Sequence, residues 1–309
     1  MNFRPLGSTG LSVSEVGFGA WQLQSGPTWS GMSATDAVRM VHRALDLGCN
    51  LFDTAPNYGD GESEALLGQA LEGRRSEAVI VTKFGHGQDG QTSYEPSCLA
   101  PSLEGSLARL RTDHVDVLLL HSPPSDVLSG RHPIHEAIER LRDQGKLRFC
   151  GASVDDSAAM KIVMETTRAE VIEILFNVFH QEPRRSFDEA RRRGVGLIAK
   201  VPLDSGWLAG RYGADATFSD VRSRWPRDVI AKRAALIEKL GFLKQEGHAL
   251  SEAALGFVLA HDAISSVIPG MKSIAQLEQN LAASRLSPAT VDRLHALYAE
   301  ELASAPLPW

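Results

Sequence analysis

The sequence predicts an α/β fold in which eight βα units close into a (β/α)8, or TIM, barrel, with an N-terminal β-hairpin outside the barrel. Short apolar runs alternate with stretches of helical periodicity along the chain, a pattern typical of parallel βα units. The units recur about every 30 residues, the usual length of such a repeat. The chain of 309 residues has the length of one barrel and contains no linker-like segment, so we expect a single domain over residues 1–309.

Local sequence signals predict the individual strands and helices in order along the chain. Turn residues at positions 7–10 predict the hairpin over residues 3–14. The first barrel strand is expected at residues 16–21, and the helix after it begins at an N-cap, Ser33, and stops at Gly48. The other predicted strands cover residues 50–53, 78–83, 115–121, 147–153, 171–177, 195–201 and 264–268. The later predicted helices cover residues 64–71, 99–110, 134–141, 157–167, 187–193, 230–245, 251–260 and 273–283.

Composition and charge narrow the class of protein. Hydrophobic residues make up 43% of the chain and charged residues 23%, which allows a large core. A net charge of -6 argues against a nucleic-acid partner. The basic run at residues 191–193 is typical of a solvated helix end.

Cysteine usage and hydropathy predict a soluble protein in a reducing compartment. Cys49, Cys98 and Cys150 form neither a CxxC pair nor an even disulfide set, so we expect buried free thiols and no metal site. The N-terminus lacks the apolar core of a signal peptide. No apolar run approaches the ~18 residues that a membrane span requires. We therefore expect a cytoplasmic protein without a membrane partner; its oligomeric state is left open.

Four polar residues lie at or just beyond the carboxyl ends of successive predicted strands. Asp53, Lys83 and His121 each close a strand, and Tyr58 follows Asp53 in a Gly-rich loop. In a barrel of parallel strands these ends meet at one rim, where active sites are built. Taken singly, Asp53 and Lys83 could be a structural ion pair and His121 a core histidine. Burying such groups is costly unless they are paired, and their joint placement favours a functional site.

These side chains together suit proton transfer. The ammonium of Lys83 favours the phenolate of Tyr58 and should lower its pKa, while Asp53 holds the ammonium in place. Tyr58 would then act as a general acid. His121 could orient a substrate carbonyl and stabilise charge on its oxygen. The sequence therefore predicts an enzyme.

Several blocks of sequence closely resemble the signature of the aldo-keto reductase family. Residues 52–59 read FDTAPNYG, residues 81–85 read VTKFG and residues 120–123 read LHSP. The resemblance runs from Arg4 nearly to the C-terminal end, around Asn280. The Asp, Tyr, Lys and His tetrad of the family maps without a gap onto the four residues above.

The resemblance implies a barrel with a nicotinamide cofactor across its carboxyl end and without a Rossmann fold. Residues 85–90 do match GxGxxG after a strand, but no apolar helix opens directly from them. We interpret this segment as a substrate-side loop. NADP(H) is the preferred cofactor and NAD(H) the alternative.

The implied nicotinamide end of the site departs from the family pattern. Ser153 matches a carboxamide-binding serine, but Val154 stands where the family usually has asparagine. Glu173 stands where a carboxamide-binding glutamine is expected, unless the register is offset. Lys200 replaces an aromatic that usually stacks on the nicotinamide; its alkyl stem could cover the ring edge. Trp21, after Gly19 and Ala20, matches an aromatic of the substrate pocket, with a core tryptophan as the competing interpretation.

The rest of the implied cofactor site lies in the C-terminal half. Lys272 is placed to bind a 2′-phosphate, although it could be a solvated loop lysine, and Gln276 stands where many members carry arginine. The implied contacts are Gly19, Ala20, Trp21, Ser153, Glu173, Lys200, Pro202, Leu203, Ser205, Gly206, Leu208, Gly210, Arg211, Gly270, Lys272, Ser273, Gln276, Gln279 and Asn280. Aromatic pocket walls are common in the loops of this family, and the candidates are Trp29, Trp207, Trp225 and Trp309.

The resulting hypothesis is an NADP(H)-dependent aldo-keto reductase that reduces an aldehyde or ketone, including sugars, or runs the reverse reaction. Asp53, Tyr58, Lys83 and His121 are its predicted catalytic residues. One alternative is a barrel aldolase in which Lys83, if free of ion pairing, forms a Schiff base. Another is a cofactor-sensing or scaffolding subunit with little turnover, as in the channel-associated members of the family.

Overall fold

The computed structural model describes residues 1–24, 32–88 and 90–308. It contains an 8-stranded parallel sheet, β3 to β10, in sequential order, and a separate two-stranded antiparallel hairpin, β1–β2. The strands are β1 (Phe3–Pro5), β2 (Ser12–Ser14), β3 (Phe18–Gly19), β4 (Leu51–Asp53), β5 (Val79–Phe84), β6 (Val115–His121), β7 (Leu147–Val154), β8 (Val171–Leu175), β9 (Gly196–Lys200) and β10 (Ile264–Val267). Parallel bridges Val16–Val267 and Gly19–Gly270 join the two edges. The predicted barrel and its N-terminal hairpin are confirmed.

Helices connect the strands on the outside of the sheet. They are α1 (Ala34–Asp46), α2 (Glu62–Ala70), α3 (Pro96–Leu110), α4 (Ser125–Leu128), α5 (Ile134–Asp143), α6 (Ser157–Thr166), α7 (Phe187–Arg193), α8 (Arg227–Lys239), α9 (Gly241–Gln245), α10 (Leu250–Leu259), α11 (Ile274–Leu281) and α12 (Pro288–Glu301). As predicted, Ser33 caps α1 by accepting from the amide of Asp36. The segment predicted as one helix over 230–245 is two helices, because α8 ends before Gly241.

The first barrel strand is shorter than predicted. Residues 16–21 contain only the two-residue β3, followed by a 3₁₀ turn over Ala20–Gln22. Pairing with the β10 edge continues through the backbone amides of Gly17 and Gly19, which donate to the carbonyls of Val267, at 2.8 Å, and Pro269, at 3.1 Å. The turn carries Trp21 away from the sheet at the carboxyl end of the barrel.

The hairpin closes the amino end of the barrel, away from the predicted site. Arg4 lies in β1, is buried, and pairs with Glu15. Its guanidinium also donates to the carbonyls of Ile264, at 2.6 Å, and Leu259, at 2.7 Å. Buried apolar side chains of the hairpin, including Leu6, pack with the first residues of the barrel strands.

Two of the three cysteines are buried as predicted. Cys49 and Cys150 are buried free thiols, but Cys98 is exposed, which corrects the expectation for that residue. The reason is helical phase: Cys98 and the buried Leu99 are neighbours in α3 and point to different faces. Within the described ranges, no helix is both long and apolar enough to cross a membrane.

Candidate active site

The carboxyl ends of the strands surround one cleft with a volume of about 580 Å³. Asp53, Tyr58, His121, Glu173 and Lys200 line it. Parallel pairing explains their convergence, because neighbouring strands end at the same rim.

Lys83 is buried beneath this cleft and is ion-paired. Its Nζ donates to both carboxylate oxygens of Asp53, at 2.7 and 2.6 Å, and to the carbonyl of Thr54, at 3.1 Å. The side chains of Lys83 and Asp53 are 0% and 4% exposed. An ammonium held in this way is not a free nucleophile, which argues against the Schiff-base alternative.

Tyr58 and His121 lie above this pair. Nζ of Lys83 is 5.2 Å from the centroid of the Tyr58 ring. The rings of Tyr58 and His121 meet edge to face with centroids 6.0 Å apart. The structure therefore brings together all four residues that the sequence singled out.

Burial sets the protonation states at neutral pH. Burial first, and then the charge of Lys83, hold the pKa of His121 well below its usual value, so the imidazole is neutral. Burial opposes the charged form of Lys83, but Asp53 and Glu173 raise the pKa of that ammonium. Lys83 therefore remains protonated.

The pKa of Tyr58 differs from the sequence prediction. Lys83 does favour the phenolate, as expected, but burial has the larger effect and raises the pKa of Tyr58 above its usual value. The carboxylates of Asp53 and Glu173 raise it further. In this structure the phenol is therefore protonated at neutral pH and can serve as a proton donor.

Glu173 and Lys200 belong to the same charged network as Lys83. Oε2 of Glu173 lies 3.3 Å from Nζ of Lys83. Its Oε1 accepts from Oγ of Ser153 at 2.9 Å, and that hydroxyl accepts from Nζ of Lys200 at 2.8 Å. Lys200 also pairs with Asp155, at 2.9 Å. Lys200, which stands at the implied ring-stacking position, is thus held in place by the contacts of its ammonium group with Ser153 and Asp155.

Most of the implied cofactor contacts line the cleft. Those that do are Gly19, Trp21, Glu173, Lys200, Pro202, Leu203, Ser205, Gly206, Arg211, Gly270, Lys272, Gln276, Gln279 and Asn280.

Five implied contacts do not line the cleft. Ala20 and Leu208 pack in the core. Ser153 is fully buried beneath Glu173 and Lys200, which take up its hydroxyl. Gly210 ends the 3₁₀ helix Asp204–Ala209, and Ser273 caps α11 by accepting from the amide of Gln276.

The backbone after β9 is strained where it borders the cleft. Val201, Asp204 and Ser205 have φ of +54°, +44° and +53°, in the left-handed region. A β-branched valine rarely adopts this conformation, and such strain clusters at functional sites. The side-chain amide of Asn177 donates through Nδ2 to the backbone carbonyl of Val201 at 2.9 Å and helps to hold this residue in place. Gly206 continues the turn at φ +96°.

Cations gather at the far end of the cleft. Lys272, Arg211 and Arg222 all line it. Burial first, and then the charges of Arg222 and Arg211, lower the pKa of Lys272, so the three are electrostatic neighbours. Arg222 is fixed by Asp220, to which its Nε donates at 2.8 Å, and by the hydroxyl of Tyr212. An anion is the ligand that such a cluster favours.

The tryptophans divide between cleft and core. Trp21 lines the cleft, with its ring centroid 6.0 Å from that of Tyr58. Trp207 and Trp225 are buried in a separate apolar cluster, so they are not exposed pocket walls. Trp29 and Trp309 lie outside the described residues.

The loop after β5 contacts the site, as expected for a substrate-side loop. The rings of His86 and His121 meet edge to face with centroids 4.9 Å apart. The hydroxyl of Tyr94 donates to the carbonyl of His121. The GxGxxG match does not open a helix, because α3 begins at Pro96.

Some cleft residues carried no usable sequence signal. Asn57 and Ser122 border predicted site residues, so their neighbourhood was a signal, but Arg222 and Tyr212 lie in an irregular stretch. The lining residues that were not individually predicted as site residues are Gln22, Asn57, Ser122, Asp155, Val201, Ala209, Tyr212, Arg222, Ala249, Leu250, Ser251 and Ile268.

Comparison with known proteins gives consistent matches. The model of the Aldo/keto reductase family matches residues 15–299. L-galactose dehydrogenase of Arabidopsis thaliana is 31% identical over 295 residues, covering 92% of this chain and 88% of the relative. A probable voltage-gated potassium channel subunit beta of the same plant is 28% identical over 324 residues, covering 95% of each chain.

A solved structure supports the same assignment. The holo form of aldo-keto reductase AKR11C1 from Bacillus halodurans superposes with a TM-score of 0.79 at 27% identity. The match covers 96% of each chain.

Proposed function

The chain belongs to the aldo/keto reductase family and is an oxidoreductase of carbonyl and CH–OH groups, and from this premise we propose that it transfers hydride between NADP(H) and a small hydroxylated aldehyde or ketone, with Tyr58 as general acid and base. The observation that carries the proposal is the position of Tyr58 in the cleft, against His121 and above the buried Lys83. Reduction and the reverse oxidation use the same groups.

The residues of the cleft fit an elongated anionic cofactor. The cleft continues from Tyr58 to Lys272, and its far end is cationic. The strained turn at Ser205 and Gly206 also lines the cleft. A bound reduced nicotinamide would supply the hydride.

The residues of this chain would handle the proton and the carbonyl oxygen. Tyr58 donates its phenolic proton to that oxygen, since its raised pKa keeps it protonated. Neutral His121 can donate a hydrogen bond to the same oxygen and orient it. Lys83 stabilises the phenolate that remains, and Asp53 holds Lys83.

The lining around Tyr58 supports a polar substrate. Asn57, Ser122 and Asp155 line the cleft beside Tyr58 and His121. Oδ1 of Asn57 is buried and accepts no hydrogen bond from any described residue. Substrate hydroxyls could pair with these groups, and a relative named for L-galactose supports the same class.

A matched pair of aldehydes tests the substrate class. Glyceraldehyde and propanal share a three-carbon skeleton, but only glyceraldehyde carries hydroxyls. We expect glyceraldehyde to have a kcat/KM about tenfold higher, the size of roughly one net hydrogen bond. Equal values would contradict a role for Asn57, Ser122 and Asp155 in binding hydroxyls.

A substitution of Lys272 tests the proposed preference for NADP(H) over NAD(H). We expect Lys272→Gln to weaken NADPH binding by about tenfold, because it removes a charge that would pair with the 2′-phosphate. NADH has no such phosphate, so its affinity should be unchanged. Fluorescence titration measures both, with the exposed Lys244→Gln as control. An equal loss for both cofactors would show that Lys272 does not read the phosphate.

A further inference from the structure

We propose that Glu173 is a positioning residue that holds Lys83 from a second strand and sets the pH at which Tyr58 exchanges its proton, with Lys200 balancing its charge. This inference rests on the proposed function, because it takes Tyr58 as the group that exchanges the proton. It gives Glu173 a role beyond contact with the cofactor.

The placement of Glu173 follows from the register of the sheet. Glu173 lies opposite Ser153 of β7 and Ile198 of β9, and its side chain is 3% exposed. Its Oε2 approaches Nζ of Lys83 to 3.3 Å but accepts no hydrogen bond from any described residue. Lys83 already donates to Asp53 and Thr54. Glu173 therefore acts on Lys83 mainly through its charge.

A second carboxylate at this depth needs a second cation. Lys83 brings one positive charge to two buried carboxylates, and burial and the charge of Glu173 raise the pKa of Asp53 well above its usual value, so a second cation is needed to keep both carboxylates ionised. Lys200 supplies the balance through the hydroxyl of Ser153. Burial would raise the pKa of Glu173, but Lys83 and Lys200 lower it to about 2. Lys200, which also pairs with Asp155, therefore offsets part of the charge of Glu173.

Glu173 is one of several charged groups that influence the pKa of Tyr58. The charged or titratable groups around Tyr58 and Lys83 come from every adjoining strand end: Asp53 on β4, Lys83 and His86 on and after β5, His121 on β6, Asp155 after β7, Glu173 on β8 and Lys200 on β9. Among them Asp53 and Glu173 raise the pKa of Tyr58, and Lys83 lowers it. Removing the charge of Glu173 should therefore make the phenol more acidic.

The test is the pH dependence of alcohol oxidation, which requires the phenolate. In Glu173→Gln we expect the midpoint of kcat/KM against pH to move about one pH unit lower, the effect of one near charge. In Lys200→Met the midpoint should move higher, because Glu173 is then uncompensated. The exposed Glu165→Gln is the matched control and should leave the midpoint unchanged.

A spectroscopic titration gives a readout independent of turnover. Tyrosinate absorbance is measured against pH in the cofactor-free protein, with Tyr58→Phe variants subtracted. We expect Tyr58 to ionise at lower pH in Glu173→Gln than in the unmodified protein. If Glu173→Gln does not fold, Lys200→Met tests the same claim with Glu173 intact, and an unchanged titration there overturns it.

The outcomes separate this inference from the proposed function. If Tyr58→Phe is inactive but neither Glu173→Gln nor Lys200→Met moves the midpoint or the titration, the role of Glu173 is wrong and the proposed function stands. If Tyr58→Phe keeps full activity, the proposed function fails. The tyrosinate titration would then still decide whether Glu173 controls the ionisation of Tyr58.

Discussion

Tyr58→Phe is expected to lower turnover by about 10²–10⁴-fold, the usual contribution of a positioned general acid. The phenyl ring keeps its contacts with Trp21 and His121 but has no proton to donate. Binding of the cofactor should be unchanged, because the loss concerns the hydroxyl alone. Steady-state kinetics and fluorescence titration of the same protein sample measure both quantities.

The control for this variant is Tyr298→Phe. Tyr298 lies on α12, outside the cleft, and should tolerate loss of its hydroxyl without any change in turnover. Wild-type turnover in Tyr58→Phe would assign proton transfer to another group. His121 would be the next candidate, since its ring meets that of Tyr58.

Lys83→Met is expected to lower both turnover and stability. It removes the cation that Asp53 and Glu173 share, and breaking a buried ion pair from one side typically lowers the free energy of unfolding by about 3–5 kcal/mol. Denaturant unfolding measures this loss. Lys146→Met removes a partly exposed partner of Glu104 and should change the free energy by no more than about 1 kcal/mol.

The destabilisation of Lys83→Met should depend on pH in a definite direction. Without Lys83, burial raises the pKa of Asp53 and Glu173 in the folded state above their unfolded values. The folded protein then binds more protons than the unfolded chain, so stability falls as pH rises toward the folded-state pKa. We expect Lys83→Met to be more stable at about pH 5 than at about pH 7. The opposite slope would contradict the placement of these carboxylates around Lys83.

The fold and the four central residues were predictable because they depend on short-range patterns. Three apolar runs end in a charged or titratable residue, and the rule that parallel strands share a rim places Asp53, Lys83 and His121 together. Gly19 and Lys272 were reached by resemblance to the family. Helix α12 was missed, although Ser287 caps it and Pro288 opens it, which is a recognised start signal.

The charged network around Glu173 could not be predicted in the same way. The sequence shows a glutamate on one strand and lysines on two others, but not which ammonium each carboxylate meets. That choice depends on register and rotamer, which bring Glu173 to Lys83 and Lys200 to Ser153. The predicted direction of the pKa shift of Tyr58 was wrong for a related reason. Burial, which raises this pKa, is a property of the packed site and cannot be read from local sequence.

Arg222 illustrates the limit for long loops. Its position between Asp220 and Tyr212 results from an irregular stretch that carries neither helical nor strand periodicity. No local pattern relates it to Lys272, its electrostatic neighbour in the cleft. The cationic end of the cleft is therefore a tertiary feature.

Measured turnover distinguishes the scaffolding alternative from the enzyme hypothesis. A relative named as a probable potassium channel subunit beta matches over almost the whole chain. A sensor or scaffold would bind the cofactor and reduce carbonyls negligibly, whereas an enzyme would lose activity on mutation of Tyr58. The same samples distinguish the two.

The most direct measurement is a titration of the purified protein with NADPH and NADH by cofactor fluorescence, followed by addition of an aldehyde. We expect NADPH to bind more tightly than NADH, and the aldehyde to oxidise bound NADPH in the unmodified protein but not in Tyr58→Phe. Failure of both cofactors to bind would contradict the account, because the cleft from Tyr58 to Lys272 would then not be a nicotinamide site.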